Sequence, residues 1–137
     1  VVIDAPPYRG AELRAALWAA DLVLAPVAPR RWTLQGMQYL ERELHAAAGL
    51  TGHVPELRAI ATMLRNTEQD RLRLELLRKR YRFLKSEIPR RESIASAMDG
   101  GRVLLPEHRS GLFFEILTGE VLRWQNTKAA SKKQKTG

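Results

Sequence analysis

Asp4 is the residue with the clearest chemical placement in this chain. It closes the run Val1-Val2-Ile3 and is followed by Ala5-Pro6-Pro7. Three β-branched residues ahead of two prolines predict a short buried strand that stops at a carboxylate. In an open α/β sheet, ligands sit beyond the carboxyl ends of the strands. A strand-tip Asp there is positioned to hold a water-bridged Mg²⁺ or to meet a phosphate. Other chemistries find little to work with. His45, His53 and His108 lie on separate predicted elements with no ligand spacing, which argues against zinc. Ser93, Ser96 and Ser110 have no G-x-S-x-G turn around them. The chain has no Cys, which excludes disulfides and thiolate chemistry and agrees with a reducing compartment.

Charge is distributed unevenly. The 137 residues carry a formal net charge of +8. Val1 to Thr67 holds 7 basic and 6 acidic residues, whereas Glu68 to Gly137 holds 16 basic and 9 acidic. A basic second half suits a polyanionic partner, nucleic acid first, although a solvated Arg-rich helix face gives the same count. Hydrophobic content of 45% with 28% charged residues is that of a folded globular chain. No run reaches the roughly 18 apolar residues of a membrane span, and no signal peptide is evident, so the expected location is cytoplasmic. Trp18, Trp32 and Trp124, like Leu112-Phe113-Phe114, read as core or interface packing.

The elements that must position these residues alternate. Ala11 to Ala20 is rich in Ala and Leu and predicts a helix. Leu22 to Ala25, closed by Pro26, predicts a buried strand. Thr33 then caps a helix with Leu34, Met37, Leu40, Leu44 and Ala48 on one stripe, ended by Gly49 to Pro55. Leu57 to Leu64 is a third strand, Glu68 to Arg80 a helix, and Tyr81 to Ile88 a fourth strand stopped by Pro89. Arg91 to Met98 is a short helix, Val103-Leu104-Leu105 an extended piece, and Ser110 to about Trp124 a last helix. Asn126 to Gly137 adds four Lys and no acid, and predicts a disordered basic tail over 125–137. The expected fold is α/β: a parallel sheet flanked by helices, built from βαβ units.

The order of parts resembles a known family. VVIDAPP, then Ala19 to Pro29 (AADLVLAPVAP), Leu34-Gln35-Gly36, Ile88-Pro89-Arg90 and Gly101-Arg102-Val103 before a last helix are similar to the C-terminal part of ParA/MinD-type partition ATPases. The resemblance covers residues 1–124. It implies a P-loop NTPase-like sheet of the SIMIBI class, incomplete at its N-terminal side. Asp4 matches the Walker B carboxylate that holds Mg²⁺, and Pro6 and Pro7 match the switch segment that answers the γ-phosphate. Pro89 and Arg90 match the loop that packs on adenine. The family usually places Asn or Asp where this chain has Arg65, which shifts the expected base contact to Asn66. The family's nonspecific DNA binding implies phosphate contacts from Arg78, Lys79, Arg80, Arg90 and Arg91, with a ParB-like partner protein and a nucleoid-associated homodimer.

One departure bears on activity. The chain has no G-x-x-x-x-G-K-[ST] loop, and no Gly is followed by Lys. A phosphate cradle needs successive backbone N–H groups at a helix N-terminus and a Lys on the β- and γ-phosphates. The expectation is therefore a truncated partition protein unable to hydrolyse ATP alone, with an open apolar sheet edge that invites pairing with another chain. The alternative is a noncatalytic basic α/β module that binds nucleic acid or a protein partner.

Overall fold

The computed structural model describes residues 1–6 and 10–135. Its elements run α1 (Ala11–Ala19), β1 (Leu22–Val27), α2 (Thr33–Thr51), β2 (Glu56–Leu64), α3 (Glu68–Arg80), β3 (Phe83–Pro89), α4 (Glu92–Asp99) and α5 (Gly111–Lys135). The three strands form one sheet in the order β1-β2-β3, and both pairs are parallel. Parallel neighbours need crossover connections, and α2 and α3 supply them. The α/β architecture expected from the alternating pattern is the one observed.

Strand alternation decides where the core lies. Val23, Ala25 and Val27 of β1 and Leu57 and Ala59 of β2 point to one side of the sheet. There they meet Met37 of α2 and Leu77 of α3, with Tyr81 following. Leu17 of α1 joins Leu44 and Ala47 of α2 in an adjoining cluster. The other side of β1 is poorly covered: Leu22 and Leu24 are half-buried and Pro26 is exposed.

Local chemistry sets the helix ends. Thr33 is the first residue of α2 rather than its cap; its hydroxyl donates to Ala28 O (2.5 Å) and accepts from Arg30 N (3.3 Å). Gly52 ends α2 in the left-handed conformation at φ 68°, and its N–H donates to Ala48 O. Thr67 caps α3 by accepting from Asp70 N (3.2 Å). Gly111 opens α5 so close to the preceding turn that a Cβ would stand 1.9 Å from Leu105 O.

Three expectations need correction. Val1 to Ile3 form no strand; Val1 and Val2 are 124% and 97% exposed, and Asp4 is exposed beside them. A three-residue strand cannot offset its ordering entropy without a neighbour's ladder, and no described strand lies alongside it. Val103 to Leu105, expected as a short extended piece, is loop without regular secondary structure. The last helix does not stop near Trp124 but continues to Lys135, through the segment expected to be disordered. Asn126 to Lys135 contains no Gly or Pro, and Lys128 pairs with Glu56 (3.0 Å), which ties this stretch to the start of β2. Pro7 lies outside the described residues.

Candidate functional site

The carboxyl ends of β2 and β3 open into a cleft of about 870 Å³. Leu64 closes β2 and Pro89 closes β3 at its floor, and Arg90 N donates to Leu64 O (2.9 Å) to join the two strand ends. The register of this pair shifts between Thr62 and Leu64, where Met63 takes a positive φ of 54°. A bulge of this kind re-aims the residue after it. Here it sits immediately before the Leu64-Arg65-Asn66 rim.

The walls come from two helices and the turn that follows β3. Asp70, Arg71, Leu74, Glu75 and Arg78 of α3 form one side, and Arg91 and Phe113, which begins the second half-turn of α5, form the other. Among the residues expected from sequence, Asn66, Pro89 and Arg90 all line this one cleft, as do Arg78 and Arg91. Lys79 and Arg80 do not. Arg80 instead pairs with Glu41 of α2 (3.2 Å) and lies over the Tyr81 ring, whose hydroxyl also donates to Glu41 (3.1 Å).

Sequence reasoning missed the most buried polar group of the cleft. Asp70 is 2% exposed. Its carboxylate accepts from Arg65 Nε (3.1 Å), Arg65 Nη2 (3.0 Å) and Arg65 N (3.2 Å). The Arg65 guanidinium holds the Asp70 carboxyl down to about 2, against the opposing effect of burial, and the carboxylate in turn raises the pKa of Arg65. This side-on pairing consumes two N–H groups of the guanidinium and leaves the others free in a fixed orientation. A Thr-x-x-Asp cap directly after a strand-end Arg is the sequence signal that could have identified it.

The remaining cations differ in how tightly they are held. Arg71 Nη2 donates to Asn66 Oδ1 (2.5 Å), Arg78 pairs with Glu87 (2.5 Å) and covers Phe83, and Arg91 lies 5.9 Å from the Phe113 ring centre. Phe113 read as core from its Leu-Phe-Phe context, yet it presents an aromatic face beneath a guanidinium at the cleft wall.

The metal side of the expected site is not assembled. Asp4 is exposed on a segment without secondary structure, Pro6 is half-buried beside it, and neither lines the cleft. Among the described residues no three His, Cys, Asp or Glu side chains group as a metal site. With one carboxylate and no Gly-Lys loop, the residues present do not fit a Mg²⁺-triphosphate. Among the described residues no helix is long and apolar enough to cross a membrane. Comparison with protein-family models, curated proteins and solved structures returns no match.

Proposed function

We propose that this chain is the base-binding portion of a ParA-like partition protein of the P-loop NTPase class, which binds a purine nucleotide in the cleft and DNA through the basic rim around it. One observation carries the reading. Asn66, Pro89 and Arg90 are 23 or more residues apart in sequence between the first and the other two, yet they converge on a single cleft. That cleft lies beyond the carboxyl ends of parallel strands, the usual ligand position in open α/β sheets. Pro89 and Phe113 supply apolar surface for a ring, and Asn66 supplies polar contact to its edge.

The intact family couples ATP and Mg²⁺ to DNA binding, dimerisation and release by a ParB-like partner. In this chain the residues for phosphate and metal are incomplete, so no hydrolytic step is assigned to it. Arg78, Arg90 and Arg91 stand at the mouth, where DNA phosphates reach them without sequence readout.

A second reading has its own support. Five arginines line the cleft against three acids, which suits a noncatalytic module that holds nucleic acid alone. Fluorescence anisotropy with a labelled DNA duplex, with and without nucleotide and Mg²⁺, separates the two. The partition reading expects salt-sensitive DNA binding, weakened several-fold by Arg90→Ala with Arg91→Ala, together with nucleotide-induced shifts of the cleft amides. DNA binding with no nucleotide response favours the noncatalytic module. A flat salt response removes nucleic acid from both.

A further inference from the structure

The carboxyl ends of all three strands lie at one end of the sheet, because β1, β2 and β3 run parallel. The turns that leave them, 28–32, 65–67 and 90–91, hold five arginines and no acidic residue. Acids return only within the helices that follow, first as Glu41, Glu68 and Glu92. Asp70, deeper in α3, is already paired with Arg65. Neighbouring strands stand about 4.8 Å apart, so the three turns span about 10 Å. The first turn lies beside the cleft. Arg73 of α3 donates to Pro29 O (3.5 Å), and the Asp70 carboxyl, held low chiefly by its hydrogen bonds to Arg65, also feels the charge of Arg30.

Trp32 stands on that first turn. Its type suggests core or interface packing, yet it is 64% exposed, and the Arg31 guanidinium lies 5.2 Å from its ring centre. The backbone beneath the ring is fixed. Pro29 is fully buried, Arg30 N donates to Ala28 O (2.7 Å), Thr33 N to Arg30 O (3.3 Å) and Gly36 N to Trp32 O (3.2 Å). A large aromatic ring held open to solvent on a rigid turn serves as a stacking platform, since every base has a π-face. An exposed Trp also suits a protein contact. The arginines on either side of the cleft and in the turn itself favour a polyanion.

We propose that Trp32 stacks on an unpaired base and that this end of the sheet binds single-stranded nucleic acid more tightly than duplex, with Arg30, Arg31 and Arg65 on the adjoining phosphates. The inference rests on the reading that the basic rim binds nucleic acid, and it adds the form of the ligand. A duplex keeps its bases paired and stacked inside, so its phosphates meet the arginines while the ring finds no base. An unpaired strand meets both. Arg65 gives two N–H groups to Asp70 and keeps the others for a phosphate.

The test is fluorescence anisotropy of the full chain with a labelled oligothymidylate of about ten nucleotides and with a duplex of the same length, at matched ionic strength. The single strand is expected to bind about tenfold more tightly, the effect of one good base stack. Trp32→Ala should remove that margin, weakening the strand about tenfold and the duplex by less than about twofold. Trp32→Phe, which keeps a π-face, should retain most of it. Equal affinity of the unaltered chain for strand and duplex overturns the inference while leaving nucleic-acid binding in place. Trp32→Ala weakening both ligands alike does the same. So does single-strand affinity unchanged in Trp32→Ala while gel filtration shows a dimer dissociating, which makes the ring a protein contact. Binding of neither ligand overturns the nucleic-acid reading and this inference with it.

Discussion

The two edges of the sheet are finished differently. At β3, Glu120 of α5 accepts from Lys85 N (2.7 Å), Ser86 N (2.9 Å) and Ser86 Oγ (2.7 Å), so one carboxylate occupies the backbone donors that a further strand would have used. At β1 no described strand lies beyond, and the side of the strand that carries Leu22 and Leu24 is only half-covered. Pro26 within β1 has no N–H to offer, which removes one ladder donor from that edge. The nearest β-prone segment, Val1 to Ile3, stays exposed instead of filling the gap. The contrast teaches that an edge is closed by acceptors placed against its N–H groups, not by the proximity of apolar residues that favour strands.

Removing the carboxylate that seals β3 should have the largest effect. Glu120→Ala leaves two backbone amides and a hydroxyl without their charged acceptor, and an expected loss of about 3 kcal/mol follows. Urea denaturation reads it. A loss below about 1 kcal/mol would place the β3 edge on the same footing as β1.

Acid should act on the same side of the molecule. Burial raises the Glu120 carboxyl, but the amides of Lys85 and Ser86 and the Ser86 hydroxyl outweigh it and leave it lowered. Burial also opposes ionisation of Glu56, where the Trp124 indole, Lys128 and Arg58 bring it down to about 2. The Trp124 N–H is buried and falls short of a well-aligned hydrogen bond, so its help to Glu56 is that of a nearby dipole. These folded-state values lie below the ordinary carboxylate value of 4.5. The unfolded chain therefore binds protons first as pH falls, and the stabilisation, complete above about pH 5, drains between about 4.5 and 2. Thermal melts across that range should show this slope, and Glu120→Ala should flatten it. A melting temperature independent of pH down to 3 would mean that α5 is not anchored through its carboxylate contacts.

The smallest effect is expected at the open end. Val2→Lys should change stability by no more than about 0.5 kcal/mol, because the side chain is 97% exposed. A loss above 2 kcal/mol would show that Val1 to Ile3 is a buried strand in solution and that the β1 edge is filled.

Much of the architecture was legible from local pattern. The helix over Glu68–Arg80 follows from its Thr67 cap, its acidic first turn and its basic last turn, signals that act within a few residues. β2 and β3 follow from apolar runs stopped by turn residues or Pro, whereas Asn66, Pro89 and Arg90 were singled out only through the family resemblance. Phe113 and the Arg65–Asp70 clamp were not legible in the same way. A Leu-Phe-Phe helix reads as core whichever face is covered, and a bidentate pair depends on orientation rather than on spacing alone. The error at Val1 to Ile3 has a related cause: β-propensity is a fit to neighbours, and no property of three residues says whether those neighbours are present.

The sequence by itself determined the helices α1 to α4 and the strands β1 to β3, because helix propensity, capping and alternation are settled within one or two turns of chain. Only the tertiary structure decided which ends meet. It brought α5 onto β3, where Glu120 takes backbone donors, and it turned the Asn66 amide through Arg71. Both outcomes depend on hydrogen-bond directions that arise after the elements pack, when each donor must find an acceptor among groups that the sequence order does not place side by side.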